Sequence, residues 1–309
     1  MNILVTGASG FVGGHLCDYL IKHNVKFKAV VRKNINTLVN YQLIFDQIDA
    51  QTNWKKALEG VDVVIHLAGR AHVMDKSTKE SYQEYASINV EATKNLAMQA
   101  AECGVKRFIF TSSIGVNGNS SETPINEAQH ENPQEHYAVS KYEAEKVLRV
   151  IASETNLDVV VIRPPLVYGL GVKANFKKLI MLSELKFPLP FGAIDNKRSL
   201  IYVENLIDFI MLCVTHPKAA IETFLVSDDD DVSTTKLIQT VAGSEGNKPL
   251  LMPVSPTLLK IIFFLFGKKT MHVKLCCSLY ADIAKAKSVL GWKPPFSLKQ
   301  GIHKTMQDK

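Results

Sequence analysis

The feature that most constrains this chain is a glycine-rich segment close to its first residue. Gly7, Gly10 and Gly13 follow the apolar run at residues 3–5 and surround the start of a segment with helical periodicity, which begins at Phe11. In a strand–turn–helix of this kind, glycine permits the tight turn, the approach of a phosphate to the backbone, and close packing of the helix. The first helical turn also presents N–H groups that bind phosphate. The segment therefore predicts a dinucleotide-binding turn.

Short runs rich in β-branched residues alternate with longer segments of helical periodicity through the first half of the chain. The runs lie at residues 3–5, 28–31, 61–67, 108–110 and 159–162. Strands and helices in this rhythm are joined by right-handed crossovers into a parallel sheet. The predicted fold class is therefore α/β, with a doubly wound parallel sheet of the Rossmann type.

The pattern changes after Tyr168, where the chain becomes irregular and richer in proline. This change predicts a smaller C-terminal domain built of loops and short elements, to which the family resemblance given below assigns the binding of the substrate. No low-complexity tract separates the two parts, so we expect them to pack closely. The expected ranges are 1–167 and 199–227 for the dinucleotide domain, with strands at 199–203 and 223–226 returning to the main sheet, and 168–198 and 228–309 for the smaller domain.

The charge balance argues against nucleic acid as a partner. The chain has 309 residues, with 36 Lys and Arg against 30 Asp and Glu for a net charge of +6, and 46% of its residues are hydrophobic. The apolar content is sufficient for a folded core, and the small basic excess is not gathered into long runs. A few basic residues that face an anionic small molecule explain this excess equally well.

Neither the cysteines nor the apolar segments indicate an exported or membrane-spanning protein. The five cysteines are odd in number and form no C-x-x-C pair, so we expect a reducing compartment, a cytoplasmic location and no metal site. The most hydrophobic stretch, residues 258–266, contains Lys260 and is far shorter than the roughly 20 residues of a membrane span. We expect it to form an ordinary buried helix, with contact to a membrane surface as the alternative.

Arg32 and Lys33 follow the second predicted strand, where the choice of dinucleotide is made. An acidic residue here would bind the ribose hydroxyls and repel a 2′-phosphate. A guanidinium instead attracts phosphate and can contact it through two hydrogen bonds. We therefore expect NADP to be accepted, with NAD and two solvated surface charges as the alternative.

Four polar residues are candidates for a proton-transfer site. Tyr137 and Lys141 lie on one face of a predicted helix, and an adjacent ammonium is expected to lower the pKa of the phenol from about 10. Ser113 ends an apolar strand, at the edge where doubly wound sheets bind ligands. Asn89 lies within a predicted helix that asparagine does not favour, which indicates a structural or proton-relay role.

Together these motifs resemble the extended short-chain dehydrogenase/reductase family, in its NAD-dependent epimerase/dehydratase branch. The matching positions are the glycine turn, His66-Leu67-Ala68-Gly69, Asn89, Ser113, Tyr137 with Lys141, Arg163-Pro164 and Leu290-Gly291-Trp292. They occur in the family's order over nearly the whole chain. The resemblance implies a UDP-glucose 4-epimerase-like enzyme that uses NADP or NAD, takes a UDP-sugar as substrate and forms a homodimer.

The resemblance also assigns roles to individual residues. Ser113, Tyr137 and Lys141 match the catalytic triad, and Arg198 matches an arginine that binds the sugar diphosphate. Gln47 departs from the family, because an acidic residue usually precedes the adenine contact at Ile48. Positions that match cofactor contacts are Gly7, Gly10, Phe11, Val12, Gly13, Arg32, Gln47, Ile48, Leu67, Ala68, Gly69, Asn89, Tyr137, Lys141 and Pro164, and those that match substrate contacts are Ser113, Asn175, Phe191, Arg198 and Lys274.

The family carries out several reactions, and local residues favour one of them. Dehydratases have an Asp-Glu pair directly after the residue that matches Ser113, because they need an extra acid and base; this chain has Ile114-Gly115 there. The chain differs from UDP-galactose 4-epimerases at Arg32, Asn117 and Pro165-Leu166. In these departures it resembles O-antigen enzymes that act on UDP-N-acetylhexosamines. We therefore favour a 4-keto reductase that makes a UDP-6-deoxy-N-acetylhexosamine for polysaccharide synthesis. A UDP-hexose 4-epimerase with retained NAD is one alternative, and a non-catalytic dinucleotide-sensing module is the other.

Overall fold

The computed structural model describes residues 1–70, 79–172, 174–183 and 187–307. The strands in these residues are β1 (Ile3–Thr6), β2 (Phe27–Val31), β3 (Gln42–Ile44), β4 (Val63–His66), β5 (Arg107–Thr111), β6 (Asp158–Arg163), β7 (Leu166–Tyr168), β8 (Leu200–Tyr202) and β9 (Thr223–Leu225). Seven of these described strands form one parallel sheet in the order β3-β2-β1-β4-β5-β6-β9. The predicted doubly wound α/β fold is therefore confirmed.

Helices cover both faces of this sheet. They are α1 (Phe11–Lys22), α2 (Lys55–Leu58), α3 (Lys79–Ala86), α4 (Ala92–Glu102), α5 (His136–Glu154), α6 (Ala174–Ser183), α7 (Val203–Thr215), α8 (Thr234–Ser244), α9 (Pro256–Leu265), α10 (Lys269–Cys276), α11 (Ala284–Leu290) and α12 (Leu298–Gln307). Alternate residues of β1 enter opposite cores: Ile3 packs in the cluster that contains α1 and α7, and Leu4 packs in the cluster that contains α4 and α5. Burial on both faces explains why the strands are continuously apolar.

The order of the strands places a crevice above the end of β1. β1 lies between β2 on one side and β4 on the other, so the chain reverses its direction of winding at this strand. Ligands of doubly wound sheets bind at this switch point, beyond the carboxyl ends of the strands. The glycine turn follows β1, and the segment that begins with Leu67 follows β4.

The two strands expected to return to the main sheet behave differently. β9 pairs with β6 at the edge of the sheet, as expected. β8 instead pairs with β7 in a separate two-stranded sheet, so the expectation for residues 199–203 was wrong. An apolar run identifies a strand without identifying its partner, and β7 becomes available because Pro164 and Pro165 end β6. The division of the chain into two domains stays a prediction.

Residues 258–266 lie at the surface of the protein, where they form most of α9. Leu259 is buried, with 2% of its surface exposed, whereas Leu265 is 75% exposed and Phe266 is 73% exposed. The expectation of an ordinary buried helix was therefore wrong, because apolar composition does not specify what a helix packs against. In the described part of the chain, no helix is long and apolar enough to cross a membrane.

Candidate active site

The glycine turn lies at the end of β1, and its geometry requires glycine at two positions. Gly7 has a φ of +74°, and a Cβ on it would stand 2.6 Å from the backbone nitrogen of Ala68. A Cβ on Gly13 would stand 2.1 Å from the carbonyl oxygen of Gly7. Gly10, which precedes α1, has no side chain that could cap the helix. The first N–H groups of α1 are therefore open to an anionic group, and a pyrophosphate fits this position.

The other predicted cofactor positions surround this turn at the same edge of the sheet. Arg32 follows the end of β2 directly and is exposed, as a residue must be to meet an adenosine phosphate. Pro164 is buried, and its carbonyl oxygen accepts the Ile114 N–H at 3.0 Å. Two of the remaining positions are exposed, namely Gln47 and Gly69. The others are half-buried: Phe11, Val12, Ile48, Leu67 and Ala68.

A row of hydrogen bonds runs beneath the turn and joins β1 to the helix that follows β4. The Ala68 N–H donates to Thr6 Oγ1 at 3.3 Å, and Thr6 Oγ1 lies 2.7 Å from His66 Nδ1. His66 Nε2 lies 2.9 Å from Thr93 Oγ1, and the Thr93 hydroxyl donates to the Asn89 carbonyl oxygen at 2.8 Å.

The protons in this row can be assigned. Burial, together with the positive charge of Lys141, lowers the pKa of His66 to about 3, so its ring is neutral. Because the single hydroxyl hydrogen of Thr93 is used on Asn89, the ring must donate from Nε2 and accept the Thr6 hydroxyl at Nδ1. Sequence reasoning named His66 only as part of a motif and missed this role.

Asn89 occupies a π-helical turn, Ser87–Glu91, between α3 and α4. Its Oδ1 accepts the Arg70 N–H at 2.8 Å, and its Nδ2 donates to the Arg70 oxygen at 3.1 Å and to Ser140 Oγ at 2.8 Å. Ser140 lies in α5 between Tyr137 and Lys141. Asn89 therefore fastens the segment after β4 to the helix that carries the predicted triad, which is the structural role among the two expected; π-turns of this kind recur at functional sites.

Lys141 is buried beside the end of β5. Its Nζ donates to the Thr111 carbonyl oxygen at 2.7 Å and lies 4.3 Å from the centre of the Phe110 ring. Burial lowers the pKa of this ammonium to about 8, although the Glu145 carboxylate acts in the opposite direction. The pKa of Lys141 therefore lies well below that of a surface lysine.

The phenol of Tyr137 departs from the sequence-based expectation. Its pKa is raised to about 12, first by burial and then by the neighbouring Tyr85, whose ring centre lies 6.3 Å away. The expected decrease in pKa was wrong for this state of the protein, because burial disfavours the phenolate and the nearby ammonium is directed at Thr111. Tyr137 is therefore held as the neutral acid, ready to donate a proton.

Ser113 lies at the carboxyl end of β5, next to the start of α5. It has extended backbone geometry and caps the short helical turn Ile114–Asn117, with its Oγ accepting the Gly115 N–H at 3.1 Å. A Cβ on Gly115 would stand 3.3 Å from Ser113 Oγ and 3.5 Å from the Ala138 Cβ. The hydroxyl is therefore adjacent to the helix that carries Tyr137, as the triad requires.

A buried cluster of charges supports this end of β5 and was missed by sequence reasoning. Glu145 is completely buried and accepts from Arg163 Nη2 at 2.6 Å and Nε at 3.0 Å. Its Oε1 also accepts the Ser112 hydroxyl at 2.5 Å. Arg163 donates further to Glu131 at 2.9 Å and to Asn117 at 3.0 Å. The cluster connects β6, α5 and the residue that precedes Ser113.

The predicted substrate residues lie in the second half of the chain, at differing depths. Arg198 is half-buried, burial lowers its pKa, and its Nη1 donates to the Cys277 carbonyl oxygen at 3.3 Å. Lys274 forms an ion pair of 2.9 Å with Glu135, which precedes α5. Phe191 is buried in the core. The side chain of Asn175 lies outside the described residues.

Comparison with known proteins shows the family to which the chain belongs. A model of the NAD dependent epimerase/dehydratase family matches residues 3–226. A UDP-glucose 4-epimerase of Vibrio cholerae is 42% identical over 310 residues, which cover 99% of this chain and 94% of the relative. The N-acetyl-alpha-D-glucosaminyl-diphospho-ditrans,octacis-undecaprenol 4-epimerase of Escherichia coli O157:H7 is 30% identical over 321 residues, which cover 99% of this chain and 94% of that relative. The solved structure of UDP-glucuronic acid 4-epimerase from Bacillus cereus, in complex with NAD, is similar to this chain with a TM-score of 0.80 at 22% sequence identity. The match covers 100% of this chain and 96% of the Bacillus cereus chain.

Proposed function

The chain belongs to the NAD-dependent epimerase/dehydratase family, and we propose that it oxidises and reduces the C4 carbon of a UDP-linked hexose or N-acetylhexosamine. The observation that supports the proposal is that Ser113 and the Lys141 ammonium lie at the end of β5, next to the helix that carries Tyr137 and at the same edge of the sheet as the open glycine turn. The identity of 42% to a UDP-glucose 4-epimerase over nearly the whole chain supports 4-epimerisation in particular.

The residues at the switch point fit a nicotinamide dinucleotide. The N–H groups that follow Gly10 would hold its pyrophosphate, and Arg32 would meet the adenosine end, as would the half-buried Ile48. When bound, the dinucleotide supplies an acceptor and donor of hydride. Retention of a complete proton-transfer triad argues against a module that only senses the dinucleotide.

The protein's own contribution is the movement of one proton at the C4 oxygen. The Ser113 hydroxyl is proposed to donate a hydrogen bond to this oxygen and to hold it beside Tyr137. The neutral phenol of Tyr137 can protonate the oxygen when a 4-keto group is reduced. In the opposite direction, the ammonium of Lys141 must leave Thr111 to favour the phenolate, which makes its hydrogen bond to Thr111 a switch between the acid and base forms.

A UDP group is proposed to lie between the start of α5 and the smaller domain. Among the described residues, the guanidinium of Arg198 has no carboxylate within ion-pair distance, and the partner of its hydrogen bond is the backbone oxygen of Cys277. A half-buried guanidinium in this condition is suited to a diphosphate, which supplies the missing negative charge. Lys274 can join it if the pair with Glu135 opens, whereas Phe191 could shape the uracil site only through its backbone.

The 4-keto reductase is kept as a second candidate because of Arg32. Its exposed guanidinium directly after β2 favours a 2′-phosphate and therefore an exchangeable NADPH, whereas an epimerase regenerates the dinucleotide in each cycle. The product of this candidate would be a UDP-6-deoxy-N-acetylhexosamine, a building block for bacterial polysaccharide such as O-antigen. The two candidates share every proposed catalytic residue and differ in their substrate and in the net consumption of the cofactor.

Two incubations of the purified protein distinguish the candidates. The first contains UDP-glucose or UDP-N-acetylglucosamine, and the second contains the 4-keto-6-deoxy derivative with NADPH. Formation of the C4 epimer with constant absorbance at 340 nm supports the epimerase, and loss of absorbance at 340 nm in the second incubation supports the reductase. Absence of both reactions, in protein that binds NAD or NADP, would refute the proposal and leave the sensing module. The Tyr137→Phe variant controls for contaminating activity.

A homodimer and a cytoplasmic location complete the proposal. The outer faces of α4 and α5 form an apolar groove that includes Met98, Val147 and Val150, and the exposure of Met98 and Val150 supports pairing with a second copy. The variant Val150→Asp should convert the dimer to a monomer in light scattering. All five cysteines are free, which supports a reducing compartment.

A further inference from the structure

The helix α9 is apolar except for Thr257 and Lys260, yet most of it faces outward. Leu258, Ile261, Ile262 and Leu265 follow the spacing of a single helical face, and all four are exposed. Phe264 and Phe266 extend the exposed surface around the end of the helix. Large apolar patches of this kind mark surfaces that are covered in the working state of a protein.

The opposite side of α9 is attached to the body of the protein. Leu259 is buried in the core, and Phe263 packs against the core and meets His272 of α10 with ring centres 6.3 Å apart. Gly267, with a φ of +67°, makes the turn into α10. The two helices thus form a hairpin that holds the apolar face of α9 outward in a fixed orientation.

The charged side chains within the segment that contains the hairpin are all lysines, one of which, Lys274, pairs with Glu135 from outside the segment. Residues 246–281 contain five lysines and no aspartate or glutamate, so the remaining chain has only 31 basic residues against 30 acidic ones. Nearly all of the net charge of +6 therefore belongs to this segment. The lysines are Lys248, Lys260, Lys268, Lys269 and Lys274.

These lysines are arranged as they would be at the boundary between lipid and water. Lys260 lies within α9, and Lys268 and Lys269 follow its exposed end. The ammonium of Lys269 lies 4.4 Å from the centre of the Phe264 ring, so an apolar side chain and a charge share one edge. Long basic side chains beside exposed aromatic and aliphatic residues can reach lipid headgroups while their neighbours enter the acyl region.

We propose that the α9–α10 hairpin docks on the surface of an anionic phospholipid bilayer, with α9 lying in the plane of the interface. The charge selects this occupant over a second copy of the chain, because two such basic hairpins repel each other whereas anionic headgroups attract them. With ten residues, α9 lies on a bilayer rather than crossing it.

Docking would also fix the position of α5, the helix that carries Tyr137 and Lys141, relative to the bilayer. Lys274 of α10 pairs with Glu135, and Glu135 directly precedes α5, two residues before Tyr137. The side of the protein that carries the proposed diphosphate site therefore stays close to the bound surface. This inference does not depend on which C4 reaction the protein performs.

Flotation of the full-length protein with lipid vesicles tests the proposal. The protein should float with vesicles that contain phosphatidylglycerol, bind pure phosphatidylcholine vesicles weakly, and leave the anionic vesicles when NaCl is raised to about 0.5 M, because salt screens the attraction. The double variant Lys268→Gln/Lys269→Gln should lower the partition coefficient roughly 30-fold, from the contribution typical of two lysines near an anionic surface. The matched control is Lys55→Gln/Lys56→Gln, which removes two adjacent exposed lysines from α2.

A second variant tests the apolar part of the surface. Replacement of Leu265 and Phe266 by serine should abolish flotation while turnover of soluble substrate stays at the level of the unmodified protein, which shows that the fold is intact. Failure of the unmodified protein to float, or equal flotation of all variants, would refute the proposal. A mass in light scattering that decreases on this double serine change would assign the surface to a second copy and also overturn it.

Discussion

Glu145→Gln should strongly destabilise the protein, because the carboxylate is the centre of a buried network. It accepts two hydrogen bonds from Arg163, one from Ser112 and one from Arg149. A glutamine retains one acceptor oxygen and places its NH₂ group against the Arg163 guanidinium, which is itself fully buried. Breaking a buried pair in this way costs about 3–5 kcal/mol, and we expect the lower end because Glu131 still pairs with Arg163.

The assay is urea denaturation followed by circular dichroism, with Glu143→Gln as the control. Glu143 lies in the same helix and forms a surface pair of 2.8 Å with Lys146, a type of interaction worth about 0.5 kcal/mol. Equal losses of unfolding free energy in the two variants would refute the reasoning. A second measurement is independent of stability: because the Glu145 charge raises the pKa of Lys141, its removal should move the alkaline decrease in activity to lower pH.

Three further predictions concern the cofactor turn and the triad. Gly13→Ala should abolish NAD binding in calorimetry and cost about 1–3 kcal/mol of stability, because the new Cβ meets the Gly7 oxygen at 2.1 Å; Gly14→Ala, whose Cβ has no contact closer than 3.9 Å, should bind normally. Tyr137→Phe should lower kcat by roughly 10²–10⁴-fold with little change in UDP-sugar affinity, and near-normal turnover would exclude this residue as the proton donor. The value of kcat/KM should decrease as pH rises above about 8, where Lys141 loses its proton in the free enzyme; a profile that is flat to pH 10 would contradict an active ammonium.

The cofactor turn and the triad were predictable because their signals are local. The φ of +74° at Gly7 and the contact at Gly13 follow from a strand that passes directly into a helix. Tyr137 and Lys141 share a helix face by their spacing alone. The partners of buried polar groups are not local in this sense: His66 meets Thr93 across 27 positions and Glu145 meets Arg163 across 18, and no periodicity relates them.

The errors also have a common physical cause. The spacing of Tyr137 and Lys141 indicates that their side chains are near each other, but it does not show how deeply each is buried or where the ammonium points. Burial acts on the pKa of Tyr137 in the opposite direction from a nearby cation, and here it prevails. The wrong expectation of a buried helix for α9 has the same cause. Hydrophobic residues in a sequence predict that a surface will be covered, but they do not identify what covers it.

The row of hydrogen bonds beneath the glycine turn has a direction. All four hydrogen bonds are donated in the same direction, which runs from the Ala68 N–H through Thr6, His66 and Thr93 to the Asn89 oxygen. Such a row can be reversed only as a whole, and its two ends are backbone groups that cannot exchange roles. The fixed direction makes the imidazole a spectroscopic marker: its Nδ1 should carry the ¹⁵N shift of an unprotonated nitrogen at every pH at which the protein is folded.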